Sequence, residues 1–167
     1  AGLEKEIFMG NINSLRDWGH AKDYVEMQWL MLQQEKPTDY VIATGRQSSV
    51  RDFVELTAQK IGWNKSSSGS SIIWEGEGIN EIGRRADTNE IVIKIDPRYF
   101  RPCEVETLIG DPSKASRELG WKAKTTLEEL VNEMIEEDLS LAKKELLILN
   151  QGYKLNYPKE NPPNFKE

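Results

Sequence analysis

Asp39-Tyr-Val-Ile-Ala-Thr-Gly45, followed closely by Ser49-Val-Arg-Asp-Phe53, is the stretch on which the fold turns. The first segment is a brief, nearly continuous run of apolar, β-branched and aromatic residues. That is the pattern of a strand covered on both faces in a parallel sheet. Ser49 with Asp52 three residues later is a capping box, and Val50, Phe53, Val54, Ala58 and Ile61 continue at helical spacing until Gly62 can end the helix. Strand, glycine turn and helix in that order predict an α/β protein.

Working toward the N-terminus, Ala21, Tyr24, Val25, Gln28, Trp29 and Leu32 share one helical face, with Pro37 stopping the helix after Lys36. Ser14-Leu-Arg-Asp-Trp-Gly19 forms a polar connection ahead of it, and Ile7 to Asn11 reads as a short strand. In the other direction, Lys65 to Ser71 is a Ser/Gly-rich loop. Ile72-Ile-Trp-Glu75 and Ile91-Val-Ile-Lys-Ile95 are strands on either side of a polar, Gly-containing excursion. Asp111-Pro112 is an N-cap with Pro at the first helical position, opening a short helix that reaches Gly120. Thr126 caps a longer amphipathic helix through Leu127, Leu130, Val131, Met134, Ile135, Leu139 and Ala142, with Glu128 and Glu129 in its positive first turn. Residues 1–149 are expected to form the ordered region, and 150–167, with Pro158, Pro162 and Pro163, a poorly ordered tail.

The 167 residues suffice for one ordinary core. With 38% apolar and 30% charged residues the composition is that of a globular chain. A net charge of −6 argues against nucleic-acid or membrane-surface partners, which most of the surface would repel. Any anionic ligand must therefore meet a local cationic pocket. One cysteine, Cys103, and one histidine, His20, exclude a zinc site or a disulfide within one chain, and a reducing cytoplasm is the expected setting. The absence of an initiator Met suggests that the true start lies elsewhere.

The glycine turn of a dinucleotide site, G-x-G-x-x-G between a strand and a helix, is not found. Gly76-Glu-Gly78 has the wrong spacing and reads as a loop. No tyrosine has a lysine four residues later, so the Tyr-x-x-x-Lys acid/base pair of short-chain dehydrogenases is missing too. His20, beside Trp18 and ahead of a helix, reads as a structural hydrogen-bonding residue, and Cys103, after Pro102, as inert packing. Two arginine-containing turns carry more. Arg16-Asp-Trp18 precedes a helix, and Arg98-Tyr-Phe-Arg101-Pro-Cys-Glu104 follows a strand. A guanidinium forks onto two phosphate oxygens, so two of them can hold a pyrophosphate. Glu104, three residues after Arg101, could accept from both hydroxyls of a ribose. The residues alone leave open the alternative that each arginine is a surface or ion-pair residue.

The ordered string Met9-Gly-Asn11-Ile-Asn-Ser-Leu-Arg16-Asp-Trp-Gly-His-Ala-Lys-Asp-Tyr24-Val resembles the GDP-mannose 4,6-dehydratases of the extended short-chain dehydrogenase/reductase superfamily. Tyr40-Val-Ile-Ala-Thr-Gly45, Ser49-Val-Arg-Asp-Phe53, Trp74-Glu-Gly76, Asp96-Pro-Arg-Tyr-Phe-Arg101-Pro-Cys-Glu104-Val and Leu119-Gly-Trp-Lys122 continue the likeness over about residues 2 to 140. The resemblance implies the C-terminal part of an extended Rossmann-type dehydrogenase: the last sheet strand, at Tyr40 to Ala43, and a small substrate-binding α/β lobe, with the N-terminal cofactor-binding strands absent. It also implies that Arg16 and Arg101 grip the diphosphate of GDP-mannose or a related GDP-sugar, that Glu104 binds the ribose, and that the Gly10-Asn11 backbone lines the nucleotide cleft.

In that family NADP oxidises C4 of the hexose, water leaves across C5 and C6, and hydride returns to C6, giving GDP-4-keto-6-deoxymannose on the route to GDP-fucose. The departure from the pattern is one-sided, since the glycine loop, the Thr/Glu pair, Tyr-x-x-x-Lys and the arginine-rich loop are missing. The chain by itself is therefore expected to bind no NADP and to be inactive. An exposed edge at Tyr40 to Ala43 favours a homo-oligomer. Two other readings are a non-catalytic sugar-nucleotide-binding or interaction module, and part of another extended dehydrogenase such as a nucleotide-sugar epimerase.

Overall fold

The computed structural model describes residues 1–64, 69–105 and 107–154. Six short strands and four α-helices follow in the order β1 (Ile7–Met9), β2 (Leu15–Arg16), α1 (Ala21–Leu32), β3 (Ser48–Ser49), α2 (Val50–Lys60), β4 (Ile72–Glu75), β5 (Ile82–Arg85), β6 (Ile91–Ile95), α3 (Ser113–Leu119) and α4 (Leu127–Asn150). One turn of 3-10 helix, Gly78–Asn80, lies between β4 and β5. The main sheet has the order β1-β6-β5-β4, and β2 and β3 form a separate two-stranded ladder. β1 runs parallel to β6, with Ile7 opposite Ile93 and Met9 opposite Ile95. β4, β5 and β6 form an antiparallel meander.

The helix starts follow their caps. Ser49 Oγ accepts from Asp52 N at 3.0 Å while the Asp52 carboxylate takes Ser49 N at 2.8 Å. Thr126 and Glu129 build the same reciprocal box on α4, which satisfies main-chain donors that a helix start otherwise leaves unpaired. Gly62 and Gly120, both left-handed, end α2 and α3. The sequence places a helix start at Asp111-Pro112. The first helical residue is instead Ser113, whose N–H donates to the Asp111 carboxylate at 2.9 Å. α1 ends at Leu32, earlier than Pro37 suggests, where its apolar face runs out and Gln33 N turns back onto Leu30 O.

Two small cores hold the elements. Met27, Ala115 and Trp121 are buried between α1, α3 and the approach to α4, with Tyr40 and Ile42 packed on them. Ala58, Ile72 and Ile93 join α2 to the sheet, with Trp63 and Trp74 against them. β5 was hidden in the polar excursion of the sequence because Gly83 and two arginines break its apolar pattern. The glycine leaves room for its neighbours: an added Cβ would stand 3.1 Å from both Ile72 and Ile93, a tight contact.

The strand expected at Tyr40 to Ala43 is not one. The segment alternates as a strand does, with Tyr40 and Ile42 toward the core, and Val41 and Ala43 so close to Gly110 that a Cβ there would lie 2.5 Å from that of Ala43. Yet no strand among the described residues lies beside it, so no ladder forms. The expected loop residues 65–68 and the tail residues 155–167 lie outside the described residues. The last described turn follows α4 at Gln151 and Gly152.

Candidate functional site

The string that leads into α1 is tied down residue by residue. Leu15 and Arg16 ladder with Ser48 and Ser49. The Asp17 carboxylate accepts from Thr44 N and Gly45 N, both at 2.9 Å. Trp18 donates its indole N–H to Ser48 O at 2.9 Å and lies against Phe53, 4.7 Å between ring centres. His20 Nδ1 caps α1 by accepting from Lys22 N at 2.9 Å, and its Nε2 faces Glu133 at 3.2 Å. Asp23, buried, accepts from Lys124 N and Thr125 N at 3.0 and 2.9 Å. Burial alone would raise the Asp23 carboxyl, but the Thr125 and Lys124 bonds outweigh it and hold it below the ordinary carboxylate value. Burial, with Asp17 alongside, pushes the Tyr24 phenol up and keeps it protonated. His20 and Tyr24 are therefore occupied in structure, not free for proton transfer.

Arg16 leaves this frame toward the turn after β6. Its Nη1 donates to Leu15 O at 2.8 Å and Val105 O at 3.1 Å, and its Nη2 lies 3.0 Å from Glu104 Oε1. The other carboxylate oxygen of Glu104 stands 3.9 Å from Arg101 Nη1. Two guanidinium groups, distant along the chain, thus converge on one carboxylate.

The Arg101 loop is held by Asn11, whose Oδ1 accepts from Arg101 N at 2.7 Å and whose Nδ2 donates to Arg101 O at 2.9 Å. That side chain reproduces the bonding of a strand neighbour. Gly10 allows the approach, because a Cβ on it would run into the Tyr99 carbonyl. The turn begins at Asp96, whose buried carboxylate accepts from Arg98 N at 2.8 Å and pairs with the Arg98 guanidinium. Hydrogen bonding from Arg98 holds the Asp96 carboxyl below its ordinary value. Arg98 is thereby spent inside its own turn, while the Arg101 side chain is 77% exposed.

A hollow of about 750 Å³ opens beside this cluster, and Gly10, Asn11, Glu81, Phe100, Pro102 and Glu104 are among its walls. Of the residues expected from the sequence, Gly10, Asn11 and Glu104 line it directly, and Arg16 and Arg101 reach it through Glu104. Glu81 was not foreseen. Its side chain is 9% exposed and pairs with Arg51 Nη2 at 2.7 Å. Arg51 in turn lies over the Trp74 ring at 4.4 Å and donates from Nε and Nη2 to Asn13 Oδ1. The sequence signal was present in Arg51, but there it reads only as the second residue of a capped helix.

Cys103 is exposed, not packed as the sequence suggested, because the Pro102-Cys103 turn projects from the loop. Among the described residues no group of His, Cys, Asp and Glu could hold a metal ion. None of their helices is long and apolar enough to cross a membrane.

The family model of GDP-mannose 4,6 dehydratase matches residues 1–134. The chain belongs to the GDP-mannose 4,6-dehydratase family. A GDP-mannose 4,6-dehydratase of Vibrio cholerae serotype O1 is 49% identical over 93% of this chain and 42% of the relative. GDP-mannose 4,6 dehydratase 2 of Caenorhabditis elegans is also 49% identical, over 83% of this chain and 34% of its own length. The chain thus spans about two fifths or less of those GDP-mannose 4,6-dehydratases. Among solved structures, UDP-glucose-4-epimerase from Stenotrophomonas maltophila, with bound NAD and formylated UDP-arabinopyranose, superposes with a TM-score of 0.59 at 18% identity, over 86% of this chain and 38% of the epimerase. That likeness concerns the fold, the α/β fold of part of an extended Rossmann-type enzyme.

Among the described residues, the Gly76-Gly78 turn does not fit a nicotinamide dinucleotide. Gly76 and Gly78 take left-handed backbone in a turn that leads to one 3-10 turn and then β5, not to the α-helix whose N-terminus a pyrophosphate needs.

Proposed function

We propose that this chain is the substrate-holding portion of a GDP-mannose 4,6-dehydratase, acting in the cytoplasm on the conversion of GDP-mannose to GDP-4-keto-6-deoxymannose. Residues 1–149 form the nucleotide-sugar-binding region. NADP and the acid/base residues come from the family's remaining chain length, and the working enzyme is a homo-oligomer. The observation that supports the reading best is the meeting of Arg16 and Arg101 at the two oxygens of Glu104, on the rim of the hollow.

Glu104 pairs with Arg16 and stands close to Arg101, leaving one positive charge of the pair uncompensated. A diphosphate presents more acceptor oxygens than one carboxylate, so it draws the arginines to itself. Glu104 is then released to accept from ribose hydroxyls. Asn11 and Gly10 keep Arg101 near Arg16, so little ordering remains to be done on binding.

Calorimetric titration with GDP-mannose and GDP tests this. Both ligands are expected to bind, and Arg101→Ala to weaken them roughly tenfold, the equivalent of one charge-assisted hydrogen bond. No heat with either ligand, or unchanged affinity in Arg101→Ala, removes the arginine pair from the site.

A further inference from the structure

The second carboxylate of the hollow has no part in the diphosphate scheme. Glu81 sits at the end of the 3-10 turn, its main chain fixed by Glu81 N donating to Gly78 O and by Ile95 N donating to Glu81 O. Its side chain is nine-tenths buried. A carboxylate offers about four acceptor positions and no donor, yet among the described residues Arg51 Nη2, at Oε1, is the one side-chain partner of Glu81. Arg51 is itself immobilised by Trp74 and Asn13, so the carboxylate is held in place. Glu81 also lines a hollow whose other walls include Ile95, Phe100 and Pro102. Flat apolar walls beside one fixed, acceptor-only group suit a planar ring that carries donors on one edge.

We infer that Glu81 reads the nucleobase of the bound sugar nucleotide and makes the hollow selective for guanine. Resting on the nucleotide-sugar reading above, this inference adds the base to it. Guanine presents two adjacent donors, N1–H and the N2 amino group. Two carboxylate oxygens can accept both at once, Oε1 through the lone pair that Arg51 leaves unused. Uracil offers a single ring N–H between two carbonyls, which would face the carboxylate with unfavourable lone pairs. Hypoxanthine keeps N1–H and lacks the amino group. Groups built to accept a hydrogen bond discriminate strongly against a ligand that lacks the donor, because the buried acceptor is then left unpaired.

Competition titration of the 167-residue chain with GDP, IDP, UDP and XDP decides the point. The unmodified chain should bind GDP more than tenfold tighter than IDP or UDP. Glu81→Gln should lose most of the GDP-to-IDP preference and gain affinity for XDP, whose C2 carbonyl can accept from the new amide. Glu81→Asp should keep a preference for GDP over IDP.

Equal binding of GDP, IDP and UDP by the unmodified chain overturns the role of Glu81 and leaves the diphosphate site standing. An equal loss of all four ligands in Glu81→Gln does the same, reducing Glu81 to a support for Arg51. Should that variant fail to fold, the comparison of GDP with IDP on the unmodified chain still decides. If none of the diphosphates binds, the substrate-holding reading falls, and the base-reading role with it.

Discussion

Replacing Asp23 with Ala should destabilise the chain by about 2–5 kcal/mol, because its carboxylate alone accepts from Lys124 N and Thr125 N. Two main-chain donors would be stranded in a partly buried joint, each costing about 1–3 kcal/mol. A domain of this size is stable by only about 5–15 kcal/mol. Asp23→Asn keeps an oxygen that can accept both bonds and should cost roughly 1 kcal/mol, the loss of charge assistance. Urea unfolding followed by tryptophan fluorescence reports on this joint, because the buried Trp121 donates its indole N–H to Asp23 O at 3.0 Å. The pH dependence has a defined sign. The folded-state carboxyl lies below its ordinary value, so its stabilisation is complete above about pH 4 and disappears as pH falls through the lower, folded-state value. The gap between the unmodified chain and Asp23→Asn should therefore close on acidification. An Asp23→Ala variant within about 0.5 kcal/mol of the unmodified chain, below the range expected for even one stranded donor, would refute the reasoning. So would a gap to Asp23→Asn that widens in acid.

Three other outcomes are expected. In calorimetry, Glu104→Gln should weaken nucleoside diphosphates without weakening inorganic pyrophosphate, which no longer competes with a carboxylate for the arginines; an equal loss for both would contradict a ribose contact. Gly10→Ala forces a Cβ into the Tyr99 carbonyl and should cost about 1–3 kcal/mol as overpacking does, with nucleotide binding lost while the helical circular dichroism persists. Thr126→Ala removes one half of the α4 capping box and should lower urea stability by about 1 kcal/mol, without altering GDP affinity.

Much of the architecture could be read from local signals. The capping pairs Ser49/Asp52 and Thr126/Glu129 announce their helices because a side chain within three residues satisfies the main-chain donors. The runs at Ile72 and Ile91 announce strands for an equally local reason. β5 could not be read in this way, since Gly83 breaks the apolar pattern and its tight neighbours, Ile72 and Ile93, are brought near only by the folded sheet. Tyr40 to Ala43 shows the converse: its composition is that of a strand, but a ladder needs a neighbour, and composition says nothing of neighbours.

The site was legible to a different degree. The two arginine turns and Glu104 stand out by residue type, and likeness to a family gives Arg16, Arg101 and Glu104 their separate roles, but nothing in their spacing predicts that two guanidinium groups meet on one carboxylate. Arg51 and Glu81 were passed over because each has an ordinary local reading, in a helix start and in a polar excursion. The ion pair that gives them meaning joins residues that no local pattern relates.

The parallel pairing of β1 with β6 also sets an order of events during folding. β4, β5 and β6 are consecutive and can zip together early, whereas Ile7 must wait for Ile93, and closing so long a loop is entropically slow. The residues around Gly10 to Arg16 and those around Arg98 to Glu104 belong to the two partners of that late event. During synthesis on a ribosome, a nascent chain therefore has no cleft to offer a ligand until the turn after β6 has emerged.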